Sequence, residues 1–435
     1  MKSALHKVLH PIAGRAMLDH VLGGLDALAP SRTVLVVGHG REQIEAAVGD
    51  RAAMALQEPQ QGTGHAVQQA QGALSGFVGD VLILYGDVPF VRSRTLEKML
   101  ERLHAEDAPA VVVLGFEPAE AGHYGRVIAD DRGQIAKMVE FKDASEEERA
   151  CRLCNSGLMA VRSEDLFDLL DRVGNDNAQG EYYLVDIVNV ARGQGRASAV
   201  VVTDAPDEVV GINSRAELAT AEAQWQQMRR EEAMAEGATL RAPETVFFSY
   251  DTVVGKDVTI EPNVVFGPGV TVHDDVRVKA FSHLEGCELH DSAQVGPFAR
   301  LRPGAVLEKN SFVGNFVEVK KAVLREGAKA SHLTYLGDAD VGAGANIGAG
   351  TITCNYDGYF KHKTVIGPGA FIGSNSALVA PIHIGADAII AAGSAVSRDV
   401  APGELRMVRA EQLVKPGWAD RFHDAMKKKK AEKSR

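Results

Sequence analysis

Val254-Gly-Lys-Asp-Val-Thr-Ile260-Glu-Pro-Asn-Val-Val-Phe266-Gly-Pro-Gly-Val-Thr-Val272-His-Asp-Asp-Val-Arg-Val278 returns a branched or bulky apolar side chain at every sixth position, and Leu284 extends the series. Leu289, Val295, Leu301, Leu307, Val313 and Val319 form a second series, one residue out of phase. Ile366, Ile372, Leu378, Ile384, Ile390 and Val396 form a third. A helix repeats every ~3.6 residues and a strand every two, so a sustained period of six is neither. It predicts a β-helix of hexapeptide repeats, in which each short strand ends at a corner and one side chain per strand fills the core. Glycine often follows the core residue, at Gly255, Gly267, Gly296, Gly314, Gly348, Gly367, Gly373 and Gly385. Such glycines are expected at corners, where backbone angles crowd a Cβ. Between Lys320 and Val341 the period falters, which predicts a loop on a binding face.

The chain has 435 residues, enough for two or more domains. Its 45% hydrophobic and 24% charged residues are those of an ordinary soluble protein. No apolar run approaches the ~18 residues of a membrane span, and Met1 to His10 lacks the apolar stretch of a signal peptide. Cys151 and Cys154 form a C-x-x-C, but no second pair or histidines follow at zinc-ligand spacing, so two ordinary thiols flanking a strand are expected. The cytoplasm is the expected compartment. The formal net charge of −11 argues against bulk nucleic-acid or membrane-surface binding, so local positive groups must hold any anionic substrate.

Residues 1–213 read differently. Val34–Val37, Val81–Tyr85, Val111–Leu114 and Val200–Val202 read as buried strands, with helices at Met17–Ala29, Gln43–Val48 and Leu96–Glu106. That alternation predicts an α/β domain with a mostly parallel sheet, whose ligands sit beyond the carboxyl ends of strands. Residues 214–237 read as an exposed linker helix, capped by Asn213-Ser214 and stopped by Gly237. Residues 238–418 form the β-helix. Residues 419–435, with the run Lys427–Lys430, are expected to be a solvated, mobile basic tail.

The loop from Gln57 through Gly62-Thr63-Gly64-His65 opens onto a helix, whose N–H groups favour an anion or a carbonyl-rich ring; a plain loop cap fits it as well. Asp87 follows an apolar strand and Tyr85-Gly86. That is a common place for a Mg²⁺ ligand, and equally for a turn cap. The ordered set is more telling: Lys7-Val-Leu-His10, Gln57 with Gly62-Thr-Gly-His-Ala66, Tyr85-Gly-Asp-Val-Pro89, Tyr124-Gly-Arg126, Val139-Glu-Phe-Lys-Asp-Ala144, Asn155-Ser-Gly157, Asn177-Ala-Gln-Gly-Glu-Tyr-Tyr183 and Gly211-Ile-Asn213. Together these resemble the sugar nucleotidyltransferases. With the hexapeptide domain behind them, they resemble the members of that family that join uridylyl transfer to acetyl transfer. The resemblance runs from about residue 2 to about residue 418.

The resemblance implies an α/β nucleotidyltransferase (Rossmann-like) domain followed by a left-handed parallel β-helix. It implies a two-step synthesis of UDP-N-acetylglucosamine. Acetyl-CoA acetylates glucosamine-1-phosphate, and UTP then uridylylates the N-acetylated product. Lys7 would contact phosphates, and Gln57, Gly62 and Thr63 would hold uracil. Asp87 and Asn213 would bind Mg²⁺, with Tyr85 and Gly86 beside them. Gly125, Glu140 and Asn155 would hold the N-acetylglucosamine ring. The family begins with a strand and a glycine-rich loop, L-A-A-G-x-G-T-R-M, whereas this chain begins at the Met that ends that motif. Either the start is assigned too late, which the intact remaining motifs favour, or the chain is shortened and its uridylyl transfer crippled. On this reading the 435-residue chain acetylates and scarcely uridylylates.

In the β-helix, His332 stands amid Lys320, Tyr335, Asn346 and Asn355, with Arg302 upstream. A histidine beside phosphate anchors suits the base that deprotonates an attacking amine. The resemblance gives His332 that role. It implies that Arg302 and Lys320 grip the sugar phosphate, and that Tyr335 and Asn346 position the sugar with Lys361 from a neighbouring subunit. Ala349, Asn355, Tyr356, Ser374, Ala392 and Arg409 would contact acetyl-CoA. It also implies a homotrimer with sites between subunits, with no nucleic acid and no membrane span. Other readings are an acetyltransferase with a disabled first domain, a glucose-1-phosphate adenylyltransferase, and a non-catalytic solenoid scaffold.

Overall fold

The six-residue spacing closes into one ladder. In the computed structural model, which describes residues 1–433, strands from Thr239–Leu240 to Leu405–Arg406 form a single 22-stranded parallel sheet wound on itself. Each strand pairs with the one a full turn later. Val253 pairs with Thr271, 18 residues on, and Thr271 with Glu288, 17 on. The shorter turn accounts for the phase slip between the first two apolar series.

Two inward positions occur per strand rather than the expected one. The bulky residue is buried, and so is the residue two before it: Val258 with Ile260, Ala293 with Val295, Ser311 with Val313 and Ala328 with Ala330. Strand alternation puts both on the inner face. The second is often small, so an apolar periodicity does not register it.

The corner glycines also differ from expectation. Of those that follow the core residue, only Gly296 has a left-handed backbone (φ +90°). The others, Gly267 excepted, are held by space. A Cβ on Gly348 would lie 2.6 Å from the Ile372 carbonyl oxygen, one on Gly373 2.5 Å from the Ala392 nitrogen, and one on Gly314 would overlap the Ser331 carbonyl. The left-handed residue comes later in the corner and is often not glycine. Along one edge it is Phe281, Phe298, Phe316 and Leu333, the three rings stacked at 4.9 and 5.2 Å.

The stretch from Lys320 to Val341 is no loop. Phe312–Leu324 and Lys329–Val341 are 13-residue strands in continuous register. The period falters because Leu324 and Val341 each follow the preceding core residue by five positions instead of six. The real excursion is further on, between Cys354 and Thr364, where the register jumps to 25 as Ala339 pairs with Thr364.

The chain divides into two compact units, Met1–Gln226 and Gln227–Arg435, and the division falls within the Arg215–Ala235 helix. That helix opens on a capping box. Glu217 N donates to Ser214 Oγ, and Glu217 Oε2 accepts from Ser214 N and Asn213 N. Gly237 follows its end at φ +110°.

The first unit carries a mixed six-stranded sheet beside small two-stranded ones, not one mostly parallel sheet. Val34–Val37 with Ala53–Leu56, and Ser198–Val202 with Val111–Phe116, are parallel. The nine-residue Cys154–Arg162 strand runs antiparallel to Asp80–Ile83, Val111–Phe116 and the start of Arg126–Ala129. It is reached through the hairpin Arg126–Ala129/Ile135–Val139, not through a crossover helix, so its direction reverses. Among the described residues, Val34–Val37 and Asp80–Ile83 each pair along one edge only. Both line an apolar cavity of about 490 Å³, with Val8, Leu18, Leu22 and Val67.

The expected basic tail is largely a helix, Trp418–Lys433, exposed along its length; the last two residues of that expectation lie outside the described ones. Alanine, lysine and glutamate favour helix there, and Trp418 stacks on Phe422 at 5.2 Å. All four cysteines are free thiols; Cys154 is buried at the head of its strand and Cys151 half-buried before it. No described helix is long and apolar enough to cross a membrane.

Candidate active sites

In the first unit the chemistry gathers just beyond the Asp80–Ile83 strand, whose next residues are Leu84, Tyr85, Gly86 and Asp87. The Lys7 ammonium donates to the Asp87 carboxylate and, at 2.8 Å, to the Asn213 carboxamide oxygen. Residues far apart in the chain thus meet at one point. Asn213 is held there by the helix cap at its own N–H, and Ile212 N donates to Asp87 O at 3.0 Å.

The Gln57–His65 loop is pinned at both ends. Gln57 N donates to Val37 O at 2.8 Å, and its carboxamide nitrogen to Gly62 O at 2.9 Å. Gly62 has φ +108°, and Tyr182 N donates to Gln61 O. Thr63 Oγ1 accepts from Leu184 N at 3.0 Å, and Thr63 and Tyr85 line the same cavity.

Tyr85 joins this loop to the sugar-ring candidates. Its ring lies where a Gly157 side chain would stand. Asn155 Oδ1 accepts from Gly157 N, and Asn155 N donates to Gly125 O, both at 2.9 Å. A Cβ on Gly125 would lie 3.4 Å from Glu140 Oε2. Burial pushes the Tyr85 hydroxyl up to about 12, helped by the charges of Glu140 and Asp87. Burial, then Asp186 and Asp143, raises the Glu140 carboxyl. Lys7, Gln57, Gly62, Thr63, Tyr85, Gly86, Asp87, Gly125, Glu140, Asn155 and Asn213 therefore form one connected set.

In the second unit the ladder itself places the residues. Val313, Ala330, Ile347, Ile372 and Ile390 are successive partners in register. Two residues beyond each stand Asn315, His332, Ala349, Ser374 and Ala392, a column along one edge over five turns. His332 Nδ1 meets Asn315 Oδ1 at 2.6 Å. Asn315 Oδ1 can only accept, so a neutral His332 ring satisfies this contact by carrying its proton on Nδ1, which leaves Nε2 as the acceptor. Below His332, Ala349 O accepts from Asn375 N at 2.7 Å, Ser374 O from Gly393 N at 2.8 Å, and Ala392 O from the Arg409 guanidinium at 3.0 Å.

The phosphate candidates share another corner. Leu301, Val319 and Leu336 are in register, so Arg302, Lys320 and Gly337 follow one another there. The Arg302 guanidinium donates to Glu318 at 2.8 Å, and Glu318 pairs with Tyr335 in the next turn. Asn355, 5% exposed, donates from its side chain to Asp338 at 2.5 Å. Asn346 lies in register between Lys329 and Phe371. Lys361 sits 4.1 Å above the Tyr356 ring of the same chain, within the excursion after Cys354. Sequence spacing does not point to Asn315, Glu318 or Asp338; the 17-residue register that brings them beside His332, Tyr335 and Asn355 is the signal that finds them.

Comparison with known proteins gives matches to both units. Residues 1–153 match the MobA-like NTP transferase domain, and residues 251–286 and 363–398 the bacterial transferase hexapeptide repeats. The chain is 75% identical over 433 residues to the bifunctional protein GlmU of Novosphingobium aromaticivorans, covering 100% of this chain and 96% of that one. It is 69% identical over 431 residues to that of Sphingopyxis alaskensis, covering 99% and 95%. With that of Zymomonas mobilis it shares 54% over 432 residues, covering 99% and 96%.

Proposed function

The chain belongs to the bifunctional GlmU family, and on that premise we propose, against the expectation that it scarcely uridylylates, that it makes UDP-N-acetylglucosamine in two steps, acetyl transfer on the second unit and uridylyl transfer on the first. The observation that carries the reading is the edge column in which the oriented base His332 stands directly above Ala349, Ser374 and Ala392.

In the acetyl step, the amine of glucosamine-1-phosphate attacks the thioester carbonyl of acetyl-CoA. His332 Nε2 takes the amine proton, the C–S bond breaks, and the thiolate leaves and is protonated. Asn315 holds the tautomer that leaves Nε2 able to accept. Arg302 and Lys320 bind the sugar phosphate, the former exchanging part of its Glu318 contact for phosphate oxygens. Tyr335 and Asn346 orient the sugar, joined by Lys361 of a neighbouring subunit in a homotrimer. Ala349, Asn355, Tyr356, Ser374, Ala392 and Arg409 form the acetyl-CoA track down the edge.

In the uridylyl step, a phosphate oxygen of N-acetylglucosamine-1-phosphate attacks the α-phosphorus of UTP and pyrophosphate leaves. Such a reaction needs alignment and charge neutralisation more than proton transfer. Lys7 supplies a cation to the phosphates, Gln57, Gly62 and Thr63 hold uracil, and Gly125, Glu140 and Asn155 hold the sugar beside Tyr85 and Gly86. Asp87 and Asn213 already present two oxygens to one cation, the Lys7 ammonium, which is the donor chemistry a hard divalent ion takes. Mg²⁺ bound there supplies charge neutralisation and orientation of the phosphates.

Both half-reactions should be assayed on one preparation. CoA release should require glucosamine-1-phosphate, and pyrophosphate release should require UTP and N-acetylglucosamine-1-phosphate with Mg²⁺. An absence of CoA release from a folded chain would refute the acetyl assignment, and an absence of pyrophosphate release the uridylyl one.

A further inference from the structure

Among the described residues, one group of side chains offers three metal-ligand atoms close together, and neither half-reaction uses it. His273, Glu288 and His290 place a ring nitrogen, a carboxylate oxygen and a second ring nitrogen all within 4.8 Å of one another. His273 and His290 each follow a core residue, Val272 and Leu289, that pair in adjacent turns. Register therefore stacks the imidazoles, with centroids 4.9 Å apart and planes 15° from parallel. Glu288 points outward between two buried neighbours, Cys287 and Leu289. Its Oε1 lies 2.9 Å from His273 Nε2 and 3.5 Å from His290 Nε2.

The two carboxylate–imidazole separations are near those a bound metal requires. Metal–nitrogen and metal–oxygen bonds of ~2.0–2.2 Å at tetrahedral angles set ligand atoms roughly 3.3 Å apart. The three side chains are each about two-fifths exposed, so small rotations can close the remaining gap. In the next turn Glu308 continues the column, but it is taken by Arg325 at 2.8 Å. The site thus has three protein ligands and leaves the other coordination positions to water. Two imidazoles and one carboxylate suit zinc and its late first-row neighbours, whereas Mg²⁺ and Ca²⁺ prefer all-oxygen ligands.

We propose that His273, His290 and Glu288 form a binding site for a zinc-class divalent cation that clips two turns of the β-helix together, on a face other than the edge carrying His332. It is distinct from the Asp87/Asn213 oxygen pair in its donor atoms and in its unit.

The full chain, stripped with chelator, should be titrated with Zn²⁺ alone by calorimetry in millimolar Mg²⁺. One zinc per chain is expected at this site, and zinc should raise the thermal midpoint. His290→Ala and Glu288→Gln should each weaken binding by on the order of 10–100-fold, the range seen when metal sites lose even a supporting contact. Both should abolish the thermal shift while acetyl transfer is retained. Unchanged zinc affinity in either folded variant, or no binding by the unmutated chain, overturns the proposal. If a variant fails to fold, zinc-soaked crystals of the unmutated chain decide. An anomalous peak bonded to the three side chains supports the site, and a peak elsewhere or none refutes it.

Discussion

The two units position their working residues by opposite means. In the first, Lys7, Asp87 and Asn213 come from distant segments and meet because a strand end, a helix cap and a short 3-10 turn converge. In the second, Asn315, His332, Ala349, Ser374 and Ala392 align because one backbone pattern repeats. A convergent site depends on each supporting loop separately. A repeated one depends on register, so an extra residue kept within a strand, rather than extruded at a corner, reaches every residue in the column beyond it.

The largest test of that contrast is functional. His332→Ala should lower the acetyl-transfer kcat by roughly 10²–10⁴-fold, the usual worth of a positioned general base. Acetyl-CoA binding and uridylyl transfer should stay near the unmutated values. If more than about a third of kcat survives, His332 is not the base.

Next comes the backbone. Gly314→Ala would drive a Cβ into the Ser331 carbonyl of the neighbouring turn. It should cost about 3 kcal/mol or more, the upper range for overpacking, seen as a lower unfolding midpoint of the second unit. Gly72 in the first unit has helical angles (φ −62°, ψ −43°) and open space around it. Gly72→Ala should stabilise by about 0.4–1 kcal/mol. Equal effects at the two glycines would remove the register argument.

Asn315→Leu deletes the acceptor that orients His332. A loss of about one hydrogen bond's worth of orientation, ~1 kcal/mol, should reduce kcat several-fold while leaving KM for acetyl-CoA little changed. A change confined to KM would make Asn315 a binding residue only.

The smallest effect concerns Glu140. Its carboxyl is raised above the ordinary glutamate value by burial and by Asp186 and Asp143. The folded state therefore binds that proton more tightly than the unfolded chain. The group's contribution to stability is complete at acid pH and declines as pH rises from the unfolded value through the folded one. Glu140→Gln should match the unmutated chain in thermal midpoint near pH 4 and exceed it slightly at pH 7, while weakening sugar binding. A midpoint difference that shrinks toward pH 7 would contradict the burial account.

Much of the fold is legible because a bulky side chain at every sixth position leaves no other regular structure. What escapes is what bulk does not mark. Ala293, Ser311 and Ala328 fill the second inward position with small side chains. Phe281, Phe298 and Phe316 take left-handed angles usually associated with glycine. The Cys154–Arg162 strand is hidden because Asn155-Ser156-Gly157 reads as a motif rather than as ladder, and with it the mixed character of the sheet. Of the sites, Lys7, Asp87 and Asn213 are legible as motifs, and the fold brings their side chains together. Asn315 is not, because its relation to His332 exists only once one turn is laid upon the next.

The mixture of 17- and 18-residue turns has a bearing on how such a chain can change its length. The turn that carries the Cys354–Thr364 excursion spans 25 residues, yet Val341 still pairs with Ile366 and the ladder resumes in step. Extra residues are harmless when a corner extrudes them. The same number spread through the strands would turn every later side chain out of phase. The second unit is in this respect like a threaded rod. It can be lengthened by whole turns or decorated between them, and His332 keeps its neighbours so long as the pitch is respected.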